Sequence, residues 1–321
     1  MSTIEISVCI CTHNPRRHYL RAVLNALSDQ TLNPTRWELI LVDNMSSRPV
    51  SEWIDLSGFP NGRLVIERTL GLTYARLRAI HEAQGELLIF VDDDNILYVD
   101  YLLNALEIMR EKPFMGALGG RCLGQFERKP PRWSHRFMPY LAVADHGNAP
   151  IWAFHLHTYQ PWFPYGAGMT IRKNLAVEYS RQLESNPERL EYGRKGNLLT
   201  SAEDIDMLFT TLDLGYAIGY FPQLSLKHLI PDQRLTLAYL NRLVFHSHRS
   251  SYYLLLARGV YKRPRKWPIA YPSGLIRCLL ENDWHPITWL LTVQVTRGKY
   301  AAYRNYMQNQ GFRSIQPIPI K

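Results

Sequence analysis

Three consecutive carboxylates, Asp92, Asp93 and Asp94, stand directly behind residues 86–91, a short run that is apolar apart from Glu86. Such a run reads as a strand buried on both faces, as in a parallel sheet. Like charges side by side repel one another and are tolerable in open solvent or around a cation. If strand geometry continues, Asp92 and Asp94 project to one side and Asp93 to the other. Two hard oxygen ligands aimed at one point suit Mg²⁺ or Mn²⁺ bound together with a phosphate. The competing account is an acidic turn that caps a following helix over residues 99–112.

Other polar groups share this placement at the ends of apolar runs. Thr12, His13 and Asn14 follow the first run, Asp43 ends the second, and Arg76 and Arg78 lie on a helical stretch between. An aspartate at a strand end can accept the N3–H of uracil or thymine. Asp92 or Asp93 can accept ribose hydroxyl protons, and Asp94 can hold a metal on a diphosphate. Together the groups describe a nucleotide site. Taken alone, Asp43 reads as a β-turn aspartate, and Arg76 reads equally as a solvated charge on a helix face.

The elements that must position these groups follow from periodicity. Residues 4–11, 37–42, 63–67 and 86–91 read as strands, and 17–30 and 71–84 as helices. Within 71–84, Leu72, Ala75, Ala79, Ile80 and Ala83 form the expected buried side. This alternation predicts right-handed βαβ units and a parallel sheet, whose ligands lie beyond the carboxyl ends of the strands. Over 123–164 the pattern is broken by Pro130, Pro131, Pro139, Pro150, Pro161 and Pro164, an irregular segment of the kind that is functional or mobile. Residues 167–172 return to the sheet, and a helix starts at Lys173. Ser201-Ala202-Glu203-Asp204 matches a capping-box start for a helix over 201–214, which Gly215 stops. Short strands are expected at 218–221 and 224–227, with His228 after the second. An amphipathic helix spans 233–258, a turn 262–268 separates it from further helices, and the last helix begins near Pro286 and ends before Gly311. Residues 315–321 read as a loose end.

The chain has 321 residues, 46% of them hydrophobic and 20% charged, which is ordinary for a globular protein. No apolar run approaches the ~18 residues that suggest a membrane span. The first residues carry no basic region before their apolar stretch, so no secretory signal is expected. Cys9, Cys11, Cys122 and Cys278 form no CxxC pair, and reduced structural thiols in a cytosolic protein are expected. The net charge of +9 is concentrated: between Arg242 and Arg313 stand 12 Lys and Arg against Glu281 and Asp283. With Trp267, Trp284 and Trp289 nearby, this segment suits an anionic membrane surface. It equally suits a solvated face on a helical cap.

Several of these stretches, in this order, resemble the family 2 glycosyltransferases, from about Ser7 to about Arg234. Residues 7–14 (SVCICTHN) are similar to the family's opening strand, and 39–47 (LILVDNMSS) to its second strand with the base-binding aspartate, here Asp43. Residues 71–79 (GLTYARLRA) resemble its Gly-Leu…Ala-Arg-Asn segment, with Leu77 where Asn is usual. Asp92-Asp93-Asp94 fits the DxD motif, and 164–172 (PYGAGMTIR) resembles the acceptor-side glycine-rich strand. Glu203-Asp204 fits the ED motif, and 226–231 (LKHLIP) resembles the segment of the family's late histidine.

The resemblance implies an α/β protein of GT-A type. A mostly parallel central sheet is flanked by helices, with a Rossmann-like nucleotide-binding half and an α-helical C-terminal extension. Residues 1–232 would be the catalytic domain, with 1–121 holding the nucleotide-sugar and 122–232 the acceptor, and 233–321 the basic extension. The implied activity is inverting transfer of a sugar from a UDP- or dTDP-sugar to a saccharide or lipid-linked acceptor, in polysaccharide or glycoconjugate biosynthesis. Asp204, with Glu203 next in line, would be the base. Thr12, His13, Asn14, Asp43, Arg76, Asp92 and Asp93 would hold the donor, and Asp94, Asp92 and His228 a Mg²⁺ or Mn²⁺ ion. Trp162 and Phe163, preceding Gly166, would stack on the acceptor. The expected location is cytoplasmic, peripheral to the membrane if the basic segment binds it, with no nucleic-acid partner. A nucleotidyltransferase on a related sheet is the rival enzyme, and a basic nucleic-acid binder the rival without catalysis. An NAD-type oxidoreductase is disfavoured because no GxGxxG follows the first strand.

Overall fold

The computed structural model describes residues 3–261 and 286–308. Its first half alternates as the periodicity requires: β1 (Ile6–Thr12), α1 (Arg17–Ser28), β2 (Trp37–Asp43), β3 (Gly62–Ile66), α2 (Leu72–Glu82) and β4 (Leu87–Asp92). These strands pair in parallel in the order β3-β2-β1-β4. Side chains of β1, β2 and β4 alternate between two cores. Val8, Leu39 and Ile89 pack beneath α1 and α3 (Tyr101–Glu111). Cys9, Ile40 and Phe90 pack beneath α2, α4 (Lys173–Ser185) and α5 (Glu203–Asp213). Burial on both faces is why these strands are continuous apolar runs.

Beyond β4 the chain adds β5 (Asn95–Leu97), β6 (Met115–Gly119), β7 (Cys122–Phe126), β8 (Ile151–Ala153), β9 (Thr170–Arg172), β10 (Ala217–Tyr220) and β11 (Leu226–Ile230). The large sheet runs β3-β2-β1-β4-β9-β6-β10-β8, and β5-β11-β7 form a small second sheet. The large sheet is mostly parallel, but β9 runs antiparallel to both β4 and β6. The segment expected to be irregular therefore contains β7, β8 and a 3₁₀ stretch over Arg132–Leu141.

The C-terminal helices α6 (Leu237–Ala257) and α7 (Pro286–Gln308) pack on each other. Phe137, Leu141 and Ile230 share a third core with Leu240, Val244 and Leu291, which fixes the helices against the sheet domain. Thr236 caps α6 by accepting from the Tyr239 N–H at 3.3 Å. The turn expected at 262–268, Trp267, Trp284, Cys278 and the loose end at 315–321 lie outside the described residues, as does the Trp289 side chain.

Three local expectations are corrected. Helix α5 starts at Glu203 with Ala202 at the cap position and no side-chain cap, so the capping box on Ser201 does not form. The Ser201 N–H instead donates to Ser250 Oγ of α6 at 3.1 Å. His228 lies within β11 rather than after it, because that strand runs to Ile230. The expected 233–258 helix begins as a 3₁₀ turn, Asp232–Leu235, before α6 starts at Leu237.

Candidate active site

A cavity of about 730 Å³ opens at the carboxyl ends of β1 and β4. Thr12, His13, Arg76, Asp92, Asp93, Asp94, Phe163, Gly166, Glu203, Asp204 and His228 all line it, so most of the residues singled out from sequence meet at one place. Asn14, Asp43 and Trp162 are not in its lining.

The strand geometry of β4 stops at Asp92, and the three carboxylates take separate partners. Asp92, 39% exposed, lies 3.7 Å from Arg76 Nη2. Asp93 accepts a hydrogen bond from the Thr12 hydroxyl. Burial and the charge of Asp94 push Asp93 up to about 7. Asp94 Oδ2 lies 2.9 Å from Arg234 Nη1, and its Oδ1 3.4 Å from His228 Nε2. Burial alone would raise Asp94, but the adjacent Arg234 guanidinium helps to hold the carboxyl well below the usual range. Asn95, immediately after the aspartates, ties the turn: its Oδ1 accepts the Asp92 N–H at 3.2 Å and its side-chain amide donates to Asp94 at 3.2 Å.

Arg76 is buried on α2, not solvated. Its Nη1 donates to Glu203 Oε1 at 3.1 Å and its guanidinium sits over the Phe90 ring. It therefore joins the end of β4 to the start of α5. Burial, then the charge of Asp204, pushes Glu203 up to about 7, against the pull of Arg76. Asp204 is held differently: its Oδ2 accepts the Gly166 N–H at 3.0 Å and its Oδ1 the Ile205 N–H at 2.8 Å. Each oxygen keeps a further lone pair for the cavity. Cys11 also lines the cavity, and burial pushes its thiol up to about 12.

Asp43, Asn14 and the Trp162–Phe163 pair have partners within the protein. Asp43 accepts the N–H groups of Ser46 (3.1 Å) and Val50 (2.9 Å), the turn role open to it from sequence. Asn14, at φ 52°, accepts from both the N–H and the hydroxyl of Ser47 and braces the β1 loop against the β2 loop. Trp162 packs edge-on to Phe163 against the core, and Phe163 is itself 2% exposed among Tyr159, Trp162 and Phe209. Besides Phe163, the aromatic lining of the cavity is tyrosine: Tyr140, Tyr159, Tyr165, Tyr239, Tyr252 and Tyr261. Leu77 packs against the core, so no polar contact replaces the usual Asn.

The sequence reading missed Arg194, Arg234, Arg136 and Lys299, which also line the cavity. Their cationic lining suits a diphosphate. Asn44 was missed as a clip: its Oδ1 accepts the Gly71 N–H at 2.8 Å, fixing the start of α2. Asp94 and His228 are buried, line the cavity and offer oxygen and imidazole lone pairs within 3.4 Å of each other, which fits two protein ligands of a Mg²⁺ or Mn²⁺ ion completed by phosphate and water. Among the described residues no group of three His, Cys, Asp or Glu side chains forms a metal cage.

Residues 7–171 match the family model of glycosyl transferase family 2. The chain is 25% identical over 275 residues to the succinoglycan biosynthesis protein ExoM of Rhizobium meliloti (strain 1021), covering 84% of this chain and 80% of that protein. Its fold resembles mannosyltransferase PcManGT from Pyrobaculum calidifontis, solved with GDP-Man and Mn²⁺, at a TM-score of 0.54 and 17% identity over 97% of this chain and 85% of that one. It also resembles residues 1–349 of TarS from S. aureus, solved with UDP-GlcNAc, at a TM-score of 0.52 and 14% identity over 95% of this chain and 92% of that one.

Proposed function

This chain belongs to glycosyl transferase family 2, and we propose that it moves a sugar from a nucleotide-diphospho-sugar to a hydroxyl of a saccharide or lipid-linked acceptor, inverting the anomeric carbon. One observation carries the reading. Asp92 at the end of β4 and the Glu203–Asp204 pair at the start of α5 face one cavity and are bridged by buried Arg76, at 3.7 and 3.1 Å.

The acceptor hydroxyl enters from the tyrosine side and gives its proton to Asp204. Its oxygen bonds to the anomeric carbon as the bond to the diphosphate breaks, and that electron pair leaves with the diphosphate. Such displacements pass through an oxocarbenium-like state. Gly166 and the first turn of α5 hold Asp204 in place, while Arg194 and Arg234 face the leaving charge. A divalent ion held by Asp94 and His228 would neutralise that charge further. Thr12 orients Asp93 toward the donor. The tyrosines offer ring faces and hydroxyls to a sugar, taking the role expected of Trp162 and Phe163.

Asp43 accepts one N–H on each oxygen and keeps further lone pairs for the N3–H of a uracil or thymine, which supports a UDP- or dTDP-sugar. The donor base is read from a panel that also includes GDP-sugars. The neighbours solved with UDP-GlcNAc and GDP-Man support a nucleotide-sugar donor, and the similarity to a succinoglycan biosynthesis protein supports a role in polysaccharide assembly. We assign donor binding chiefly to residues 1–121, acceptor binding chiefly to 122–232, and to α6 a further wall of the acceptor side, since its Ser251 and Tyr252 line the cavity. Among the described residues no helix is long and apolar enough to cross a membrane. The basic extension then supports a peripheral position on the cytoplasmic face of an anionic membrane.

The test is a thermal-shift panel of UDP, dTDP, GDP and their sugars, with and without Mn²⁺. A ligand at 100 times its Kd stabilises the fold by about 2.7 kcal/mol. The anomeric configuration of the product, read by NMR, tests inversion. Stabilisation by nucleoside triphosphates with pyrophosphate release would favour the nucleotidyltransferase instead.

A further inference from the structure

Arg234 lies in the seat that a divalent ion would need. Its Nη1 is 2.9 Å from Asp94 Oδ2 and 3.1 Å from His228 Nε2. Guanidinium only donates, so His228 Nε2 presents its lone pair to Arg234. That lone pair and the Asp94 carboxylate are the two donors a metal would take. The His228 Nδ1 is buried without a hydrogen-bond partner, so no second contact fixes the ring. Arg234 stands on the single 3₁₀ turn Asp232–Leu235, between β11 and α6. Like Asp94 and His228, it lines the cavity.

We propose that Arg234 is the resident counter-cation of Asp94, which a divalent ion must displace and which then turns to the donor's diphosphate. The inference rests on the nucleotide-sugar reading above. Without a metal, Arg234 neutralises the buried carboxylate, which would otherwise be desolvated and unpaired. The diphosphate offers the guanidinium a bidentate alternative. Each arrival frees the place the other needs, so metal and nucleotide bind with positive coupling. By linkage each raises the affinity of the other by the same factor.

The experiment measures Mn²⁺ binding by the EPR signal of the free ion, on wild type, Arg234→Gln and Asp94→Asn, alone and with UDP or GDP. Melting temperatures confirm that each variant is folded. Without nucleotide, Arg234→Gln is expected to bind Mn²⁺ at least about tenfold tighter than wild type, a difference of 1.4 kcal/mol. Asp94→Asn should lose the site. Nucleotide should tighten Mn²⁺ binding strongly in wild type and much less in Arg234→Gln. Equal or weaker Mn²⁺ binding by Arg234→Gln without nucleotide overturns the exchange. So does a nucleotide effect of equal size in both proteins, a comparison that also needs no gain in the unliganded variant. If neither nucleotide binds any of the proteins, the donor reading fails, and the nucleotide-free comparison still decides whether Arg234 holds the metal seat.

Discussion

Gly166 and Asp204 are joined by a 3.0 Å hydrogen bond from the glycine N–H to the carboxylate Oδ2, and the same glycine leaves room for Arg76. A Cβ at residue 166 would stand 2.4 Å from Arg76 Nη2. One missing side chain thus lets the bridging cation and the candidate base sit side by side.

Gly166→Ala is therefore expected to push the guanidinium off Glu203 while the fold persists. A displacement of about 1 Å at a reacting centre costs about 10²-fold in rate. The check is kcat beside the melting temperature. Unchanged turnover would mean that Arg76 has no part in positioning the site.

Asp204→Asn keeps one side-chain oxygen, and so at most one of the two backbone N–H contacts, and it cannot take a proton. Turnover should fall by about 10²–10⁴-fold with nucleotide affinity preserved. Ala202 holds the cap position, so Asp204 closes no capping box on Ser201, and the melting temperature reads the cost of disturbing its contact with the Ile205 N–H. A folded mutant of undiminished kcat would transfer the base role to Glu203.

Glu203 links stability to pH. Its folded pKa is raised from 4.5 to about 7, so the folded protein holds this proton more tightly than the unfolded chain. The stabilisation is full below the unfolded value and is lost as pH rises through about 7. Glu203→Gln has no such proton to lose. Its stability relative to wild type should be more favourable at pH 8 than at pH 5, measured by melting without ligand. The same difference at both pH values would contradict the assignment.

Arg242, Arg249, Arg297, Lys299 and Arg304 belong to α6 and α7 and contribute to the basic C-terminal charge. The protein should sediment with anionic vesicles at low salt, stay soluble with neutral ones, and be released as salt shortens the screening length. Equal recovery with both vesicle types would leave the charge as a solvated face.

What was legible from sequence was what burial writes into a run of residues. β1, β2 and β4 are covered on both sides and read as continuous apolar strings. β6 and β7 were not found because they are short and carry Gly116, Gly119 and Gly124, and β8 has only three residues. The aspartates were found because carboxylates behind an apolar run are conspicuous, and the Glu203–Asp204 pair because it opens a helix and fits the ED motif. The burial of Arg76 was not, since its partner Glu203 is 127 residues away. Arg234 is one of 37 basic residues, and nothing local marks it. In the aromatic stretch before Gly166, composition cannot say which rings turn inward, so Tyr159 and Tyr165, which line the cavity, were not singled out beside Trp162 and Phe163.

The reversed strand β9 also sets an order of events during synthesis. Strands β1 to β4 can assemble from near neighbours as soon as residue 92 has left the ribosome. Leu87 of β4 then waits for Arg172, its partner across the seam. Until that stretch emerges, the apolar β4 presents a bare edge, the kind of surface that recruits other chains. A polypeptide ending before Thr170 would carry that edge permanently, and a chaperone guarding this protein would have its work to do between those two moments.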